Sequence, residues 1–142
     1  MQHYTFGGYQ AELNMDATHK WYAASDAWGC ECGDCQNFLV LAQKKELPER
    51  IIEILDKLGI PPEKATYVSR LYTSEAGVLY QFSYRLAGTI ASVPDNPDAK
   101  DQNWVRCCHD PYPYGAPNFP EPHFDLEFYE TLPWILDEAE NS

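Results

Sequence analysis

Residues 78–90 read VLYQFSYRLAGTI, and how that stretch folds decides the architecture. β-Branched and aromatic residues dominate it. Val78, Tyr80, Phe82, Tyr84 and Leu86 recur at every second position, the period at which a strand's side chains share one face. The spacing predicts a strand whose aromatic face packs on other elements. Residues 66–72 have a similar composition and are separated from it by TSEAG at 73–77. The two runs therefore read as an antiparallel hairpin.

Upstream of the hairpin, LPERIIEILDKLG at 47–59 reads as a helix from Pro48 to Leu58. Pro48 fits the first turn, Glu49 lies near the positive end, and Ile51, Ile54, Leu55 and Leu58 share a face. Gly59 supplies a left-handed stop, and Pro61 and Pro62 forbid resumption. Before it, Phe38, Leu39, Leu41 and Ala42 fall on one helical face. Asp34 is placed to accept from the free amides of a first turn, which predicts a shorter helix over 35–45.

At the start of the chain, Tyr9, Ala11, Leu13 and Met15 alternate with polar residues, predicting a strand over 9–15 with Gly7 and Gly8 as a bulge or bend. Near the other end Phe124, Leu126 and Phe128 alternate with Asp125, Glu127 and Tyr129, giving a last strand before LPWIL at 132–136. An acidic tail at 137–142 is expected to fray. Residues 91–122 hold seven of the eleven prolines, so little regular structure is expected there. A connection of ~30 residues is unusual in a compact domain, and Trp104, Val105, Tyr112, Tyr114 and Phe119 argue that something pins it.

These elements predict a single α+β domain over 1–142, a mainly antiparallel sheet packed against two short helices. A barrel-like sheet capped at one end by the helix pair is the alternative. The sequence has no internal repeat, phosphate-cradling glycine loop or nucleophile elbow.

The opening MQHYTFGGY lacks the features of a signal peptide, and no run approaches the ~18 apolar residues of a membrane span. A soluble, cytoplasmic protein is expected. The net charge is −12; residues 107–142 carry eight acids and no lysine or arginine. Such a balance disfavours nucleic acid and suits a basic protein partner, although a solvated acidic face accounts for the same charge.

Five cysteines bear on chemistry, three of them in GCECGDCQNF at 29–38 and two in Cys107-Cys108-His109. In a reducing compartment such spacings point to metal or thiol chemistry more than to a disulfide framework. Zinc takes four sulfur or imidazole ligands, and a CxxC turn entering a helix supplies two of them. Cys32 and Cys35 have that form, and Cys30, Cys107, Cys108, His109 or His123 are candidates to complete the set. Ligands at 107–109 would also tether the long connection.

Two other readings stay open. In one, five reduced thiols simply pack as small hydrophobes. Alternatively, Cys35 in a helix first turn is a reactive thiol, although Glu31 and Asp34 oppose its ionisation and no lysine or arginine lies within eight residues of it. His3, His19, His109 and His123 are too scattered to assign a base.

CGDCQNF, LPERIIEILDKLGI and FDLEFYETLPWIL together resemble a family of uncharacterised bacterial proteins with a C-x-x-C-x-N-F segment, an LPxxxxxxLxxLGI helix and an LPW(I/V)L end. The resemblance implies that these segments form one unit in a bacterial protein, and it implies no activity. Two functions follow from the residues. One is a non-enzymatic interaction module, stabilised by a cysteine-held metal such as zinc and facing a basic partner. The other is a thiol- or metal-dependent enzyme with its site between the CxxC turn and the proline-rich segment.

Overall fold

A computed structural model describes residues 1–100, 103–109 and 115–136. In chain order these form β1 (Gln2–Phe6), β2 (Tyr9–Leu13), α1 (Met15–Ala24), α2 (Gly33–Gln43), α3 (Glu49–Leu58), a 3-10 turn (Pro62–Lys64), β3 (Tyr67–Ser74), β4 (Gly77–Ser92), β5 (Val105–Cys108) and β6 (His123–Leu132). The fold is a single α+β domain with a mainly antiparallel sheet, as its alternating patterns predict.

Strand β4 is the spine of the sheet. Its first half pairs with β3, its last residues pair with β2, and Val78 to Ala87 run against β6. The order is β1-β2-β4-β6-β5, with β3 also on β4. Register sets Tyr80, Phe82, Tyr84 and Leu86 beside Glu130, Phe128, Leu126 and Phe124. Seven of those eight residues are buried, all but Glu130, and they form the aromatic face that the period of two predicts. Phe38 of α2 packs on it, its ring 4.9 Å from Phe82 and 6.0 Å from Tyr80.

Helix α3 matches its sequence signals closely. Ile51, Leu55 and Leu58 are buried, and Gly59 takes φ +68° as the stop. A side chain at Gly59 would also meet the ring of His19, whose Nε2 is 2.6 Å from the Leu58 carbonyl. The end of α3 is thus closed by a residue of α1.

Four expectations need correction. Strand β2 ends at Leu13, because Asn14 caps a third helix, α1: its Oδ1 accepts from Ala17 N at 3.1 Å. The apolar Met15 opens this helix and does not continue the strand. Gly7 and Gly8 form the turn of a hairpin, since β1 pairs with β2 from Gln2↔Leu13 to Phe6↔Tyr9. The cap of α2 is Cys32, whose Sγ accepts from Cys35 N; Asp34 instead turns its carboxylate toward Arg70, Oδ2 to Nε 3.4 Å.

The fourth correction concerns 91–122. This segment contains β5, which pairs with β6, and its anchors are packing and backbone hydrogen bonds. Tyr129 N donates to the Trp104 carbonyl, Gly88 N to Pro122, and Trp21 Nε1 to Pro117 at 3.0 Å. Phe119 is buried against Trp21 and Tyr22. Tyr112, Tyr114 and the tail at 137–142 lie outside the described residues. No helix among the described residues is long and apolar enough to cross a membrane.

Candidate metal centre

The three thiols of C-x-C-x-x-C meet at the start of α2. The Sγ atoms of Cys30, Cys32 and Cys35 all lie within 4.8 Å of one another, and Cys30 and Cys32 are 3.3 Å apart. Local chain geometry explains this. Cys32 is extended as the cap, so its sulfur turns back over the first turn, and Gly33 begins the helix that returns Cys35 to the same side. Gln36, one residue further, donates from Nε2 to the Cys30 carbonyl at 3.1 Å. That bond folds the CxC limb onto the helix.

The site is graded from inside to outside. Cys35 is buried, Cys30 is half-buried and Cys32 is exposed. Trp28 roofs the inner thiol, its Nε1 donating to Cys35 Sγ at 3.1 Å while its ring packs edge-on against Tyr67. The helix start is fixed from beneath by Tyr80, whose hydroxyl donates to the Asp34 carbonyl at 2.6 Å.

Electrostatics divide the thiols into two kinds. The backbone amide of Cys32, with help from the other two thiols, holds the Cys30 thiol below its ordinary pKa. Burial pushes Cys35 well above its own, with the neighbouring sulfurs adding to the rise. One thiolate is therefore favoured in the group, hydrogen-bonded by its neighbours, and further deprotonation needs a cation to offset the charge.

The other sequence candidates are elsewhere. Cys107 and Cys108 lie on β5 opposite Leu126 and Asp125, and with His109 they line a cavity of their own. His123 begins β6, its Nδ1 3.1 Å from the Pro120 carbonyl and its ring edge-on to Phe119. Burial raises Cys107 to about 12, which keeps it a neutral, half-buried thiol. Among the described residues, the three-cysteine group is the one set of three or more cysteine, histidine or acidic side chains placed to share an ion. The spacing C-x-C-x-x-C marked that group in the sequence. Trp28 and Gln36, which hold it together, carried no signal beyond their proximity.

Compared with known proteins, the chain matches no protein-family model, no curated protein and no solved structure.

Proposed function

We propose that the chain is a non-catalytic interaction module organised around a soft-metal site, with Cys30, Cys32 and Cys35 as thiolate ligands and zinc as the favoured ion. The observation that carries this reading is the convergence of three sulfurs within 4.8 Å on one turn and one helix cap. Zinc–thiolate bonds of about 2.3 Å at tetrahedral angles set sulfurs roughly 3.8 Å apart, a spacing the group can adopt with small side-chain adjustments. The free amides at the helix start favour the negative charge of a thiolate cluster. Trp28 Nε1 and the Cys35 amide already point hydrogen bonds at sulfur, the kind of outer support that orients metal ligands.

Three protein ligands leave a fourth tetrahedral position, and the exposed Cys32 puts that side of the group at the surface. A donor from a partner protein can complete it. The chain's acidic balance, −12 overall, favours a basic partner over nucleic acid. A reducing cytoplasmic setting keeps the thiols available for the metal.

Elemental analysis of protein purified without added metal tests the reading. One equivalent of zinc or another thiophilic ion, lost in Cys32→Ser and Cys35→Ser and retained in Cys108→Ser, supports it. No stoichiometric metal, together with no binding of added zinc, removes it. The acidified Cys30 beside Cys32 favours a second reading, a thiol-dependent reaction at the same place. Selective alkylation of Cys30 near neutral pH that added zinc leaves unchanged would favour that second reading.

A further inference from the structure

The sheet face opposite α2 carries a second concave site. A cavity of about 730 Å³ opens there, lined by residues including Tyr9, Arg106, Cys108, Glu127 and Tyr129. The register brings these side chains to one face: Arg106 sits opposite Glu127, and Tyr129 is two positions along the same strand. Tyr129 donates its hydroxyl to Glu127 Oε1 at 3.1 Å. The Cys108 thiol also hydrogen-bonds this carboxylate.

The charge balance in the cavity is uneven. The guanidinium of Arg106 is engaged by the exposed Asp98, through a charge-assisted bond that raises the arginine's pKa. On the same face, Asp125 is paired with Arg85 at 3.0 Å, both buried. Glu127 makes no ion pair among the described residues, and all ten lysines and arginines of the chain are described. Its carboxylate is thus half-buried beside a hydroxyl and a thiol, and Arg106, held by Asp98, acts on it through space without a bond. Burial raises its pKa and outweighs the lowering by the Tyr129 hydroxyl, Arg106 and the Cys108 thiol, so the ionised carboxylate is under-compensated here. Such an arrangement is costly unless something positive enters.

We infer that this cavity binds an organic cation, an ammonium or guanidinium group, with Glu127 as counter-ion and the rings of Tyr9 and Tyr129 flanking it. Two tyrosines beside a carboxylate suit such a group, since ring faces and carboxylate attract the same charge. An anion would need Asp98 displaced from Arg106 and would meet Glu127 at close range. The cation has two sources, a free amine or the side chain of a basic protein segment. The site shares no ligand with the three thiols; it gives the basic partner proposed above a place to insert a lysine or arginine.

Titration of the full chain with butylammonium, butylguanidinium, butanol and short Gly-Lys-Gly and Gly-Arg-Gly peptides, followed by NMR of leucine methyl groups, tests this. Leu79 lines the cavity and should shift with the cations, whereas the buried Leu58 of α3 should not. Butanol should be silent. Peptides binding more tightly than the small amines assign the site to a protein segment, and parity assigns it to free amines. Glu127→Gln should weaken binding by at least about tenfold, the loss expected for a hydrogen bond to a charged group. Cys32→Ser should bind the cations normally, so the metal reading can fail while this one stands. If Leu79 is silent to every cation in the unaltered chain, the inference is overturned. Acetate or glutarate binding that is lost in Arg106→Gln would overturn it too, by assigning an anion site.

Discussion

Asn37 and Ile135 are 98 positions apart, and the side-chain Oδ1 of the first accepts from the backbone nitrogen of the second at 2.8 Å. The same amide donates from Nδ2 to the Pro133 carbonyl at 3.0 Å and to the Tyr80 hydroxyl at 3.4 Å. A single buried side chain thus ties the helix that carries the thiols to the segment following the last strand. The CGDCQNF and LPWIL segments are one packed unit for that reason.

Replacing Asn37 with alanine removes three hydrogen bonds and strands the Pro133 and Ile135 backbone groups. The expected loss is about 2–4 kcal/mol, measured as a fall in denaturation midpoint. Asn37→Asp, which keeps the shape but turns a buried carboxylate toward the Pro133 carbonyl, should lose at least as much. Equal midpoints for Asn37→Ala and the unaltered chain would show that the clamp contributes nothing.

Leu55 is fully buried under α3, and Lys57 on the same helix is exposed. Leu55→Ala should cost about 2–5 kcal/mol through lost burial and the cavity left behind. Lys57→Ala should be nearly silent. Chemical denaturation of the two variants side by side reads the difference directly.

Sequence periodicity revealed the parts of this fold that alternate or repeat strongly. The aromatic face of β4, the apolar stripe of α3 and the last strand are all legible because burial on one face imposes the pattern. Helix α1 was hidden because its buried residues, Met15, Thr18 and Tyr22, include a polar one. Thr18 is buried as a connector: its hydroxyl donates to the Asn14 carbonyl and accepts from Ala87 N. The Asn14 cap was the readable clue. Strand β5 is four residues long and lies in a proline-rich tract, so its pairing with β6 is a tertiary effect that local propensity does not carry. The thiol group was legible as C-x-C-x-x-C. Whether Cys107 and Cys108 joined it depended on strand placement, which spacing alone does not give. That Glu127 and Tyr129 share a face followed from the alternation in the last strand, but neither the hydrogen bond between them nor the cavity beside them did.

Alkaline pH should destabilise the fold progressively. Burial raises Tyr80 and Cys107 each to about 12, and raises Tyr22, Tyr84 and Cys35 as well. Unfolded thiols ionise near about 8.5 and tyrosines near about 10, so above those values the unfolded chain loses protons that the folded chain keeps. Stability is therefore intact below about pH 8.5 and falls as pH rises toward 12. Cys30 has the opposite sign: its lowered pKa contributes stability above the ordinary thiol range, lost as pH falls through its folded value. Urea midpoints measured from about pH 8 to pH 11 should decline throughout, and Cys107→Ala should make that decline shallower. A flat profile would contradict the burial of these groups.

Metal removal separates the two things that hold the middle of the chain. The segment around Val105–Cys108 is anchored by its pairing with β6 and by Val105, which is fully buried. The limb carrying Cys30 and Cys32 is held by the Gln36 side chain, by weak sulfur contacts and, under the proposed function, by the metal. An ion that binds only the folded chain stabilises it by roughly 2.7 kcal/mol when its free concentration is a hundredfold above Kd. A chelator should therefore lower the melting temperature of metal-loaded protein, and Cys32→Ser should match that lower value without chelator. Limited proteolysis should then cut near the thiol turn, at residues 25–33, and leave β5 protected. The reverse pattern, cleavage confined to residues 93–109 on metal removal, would mean that the long connection is tethered through the metal after all.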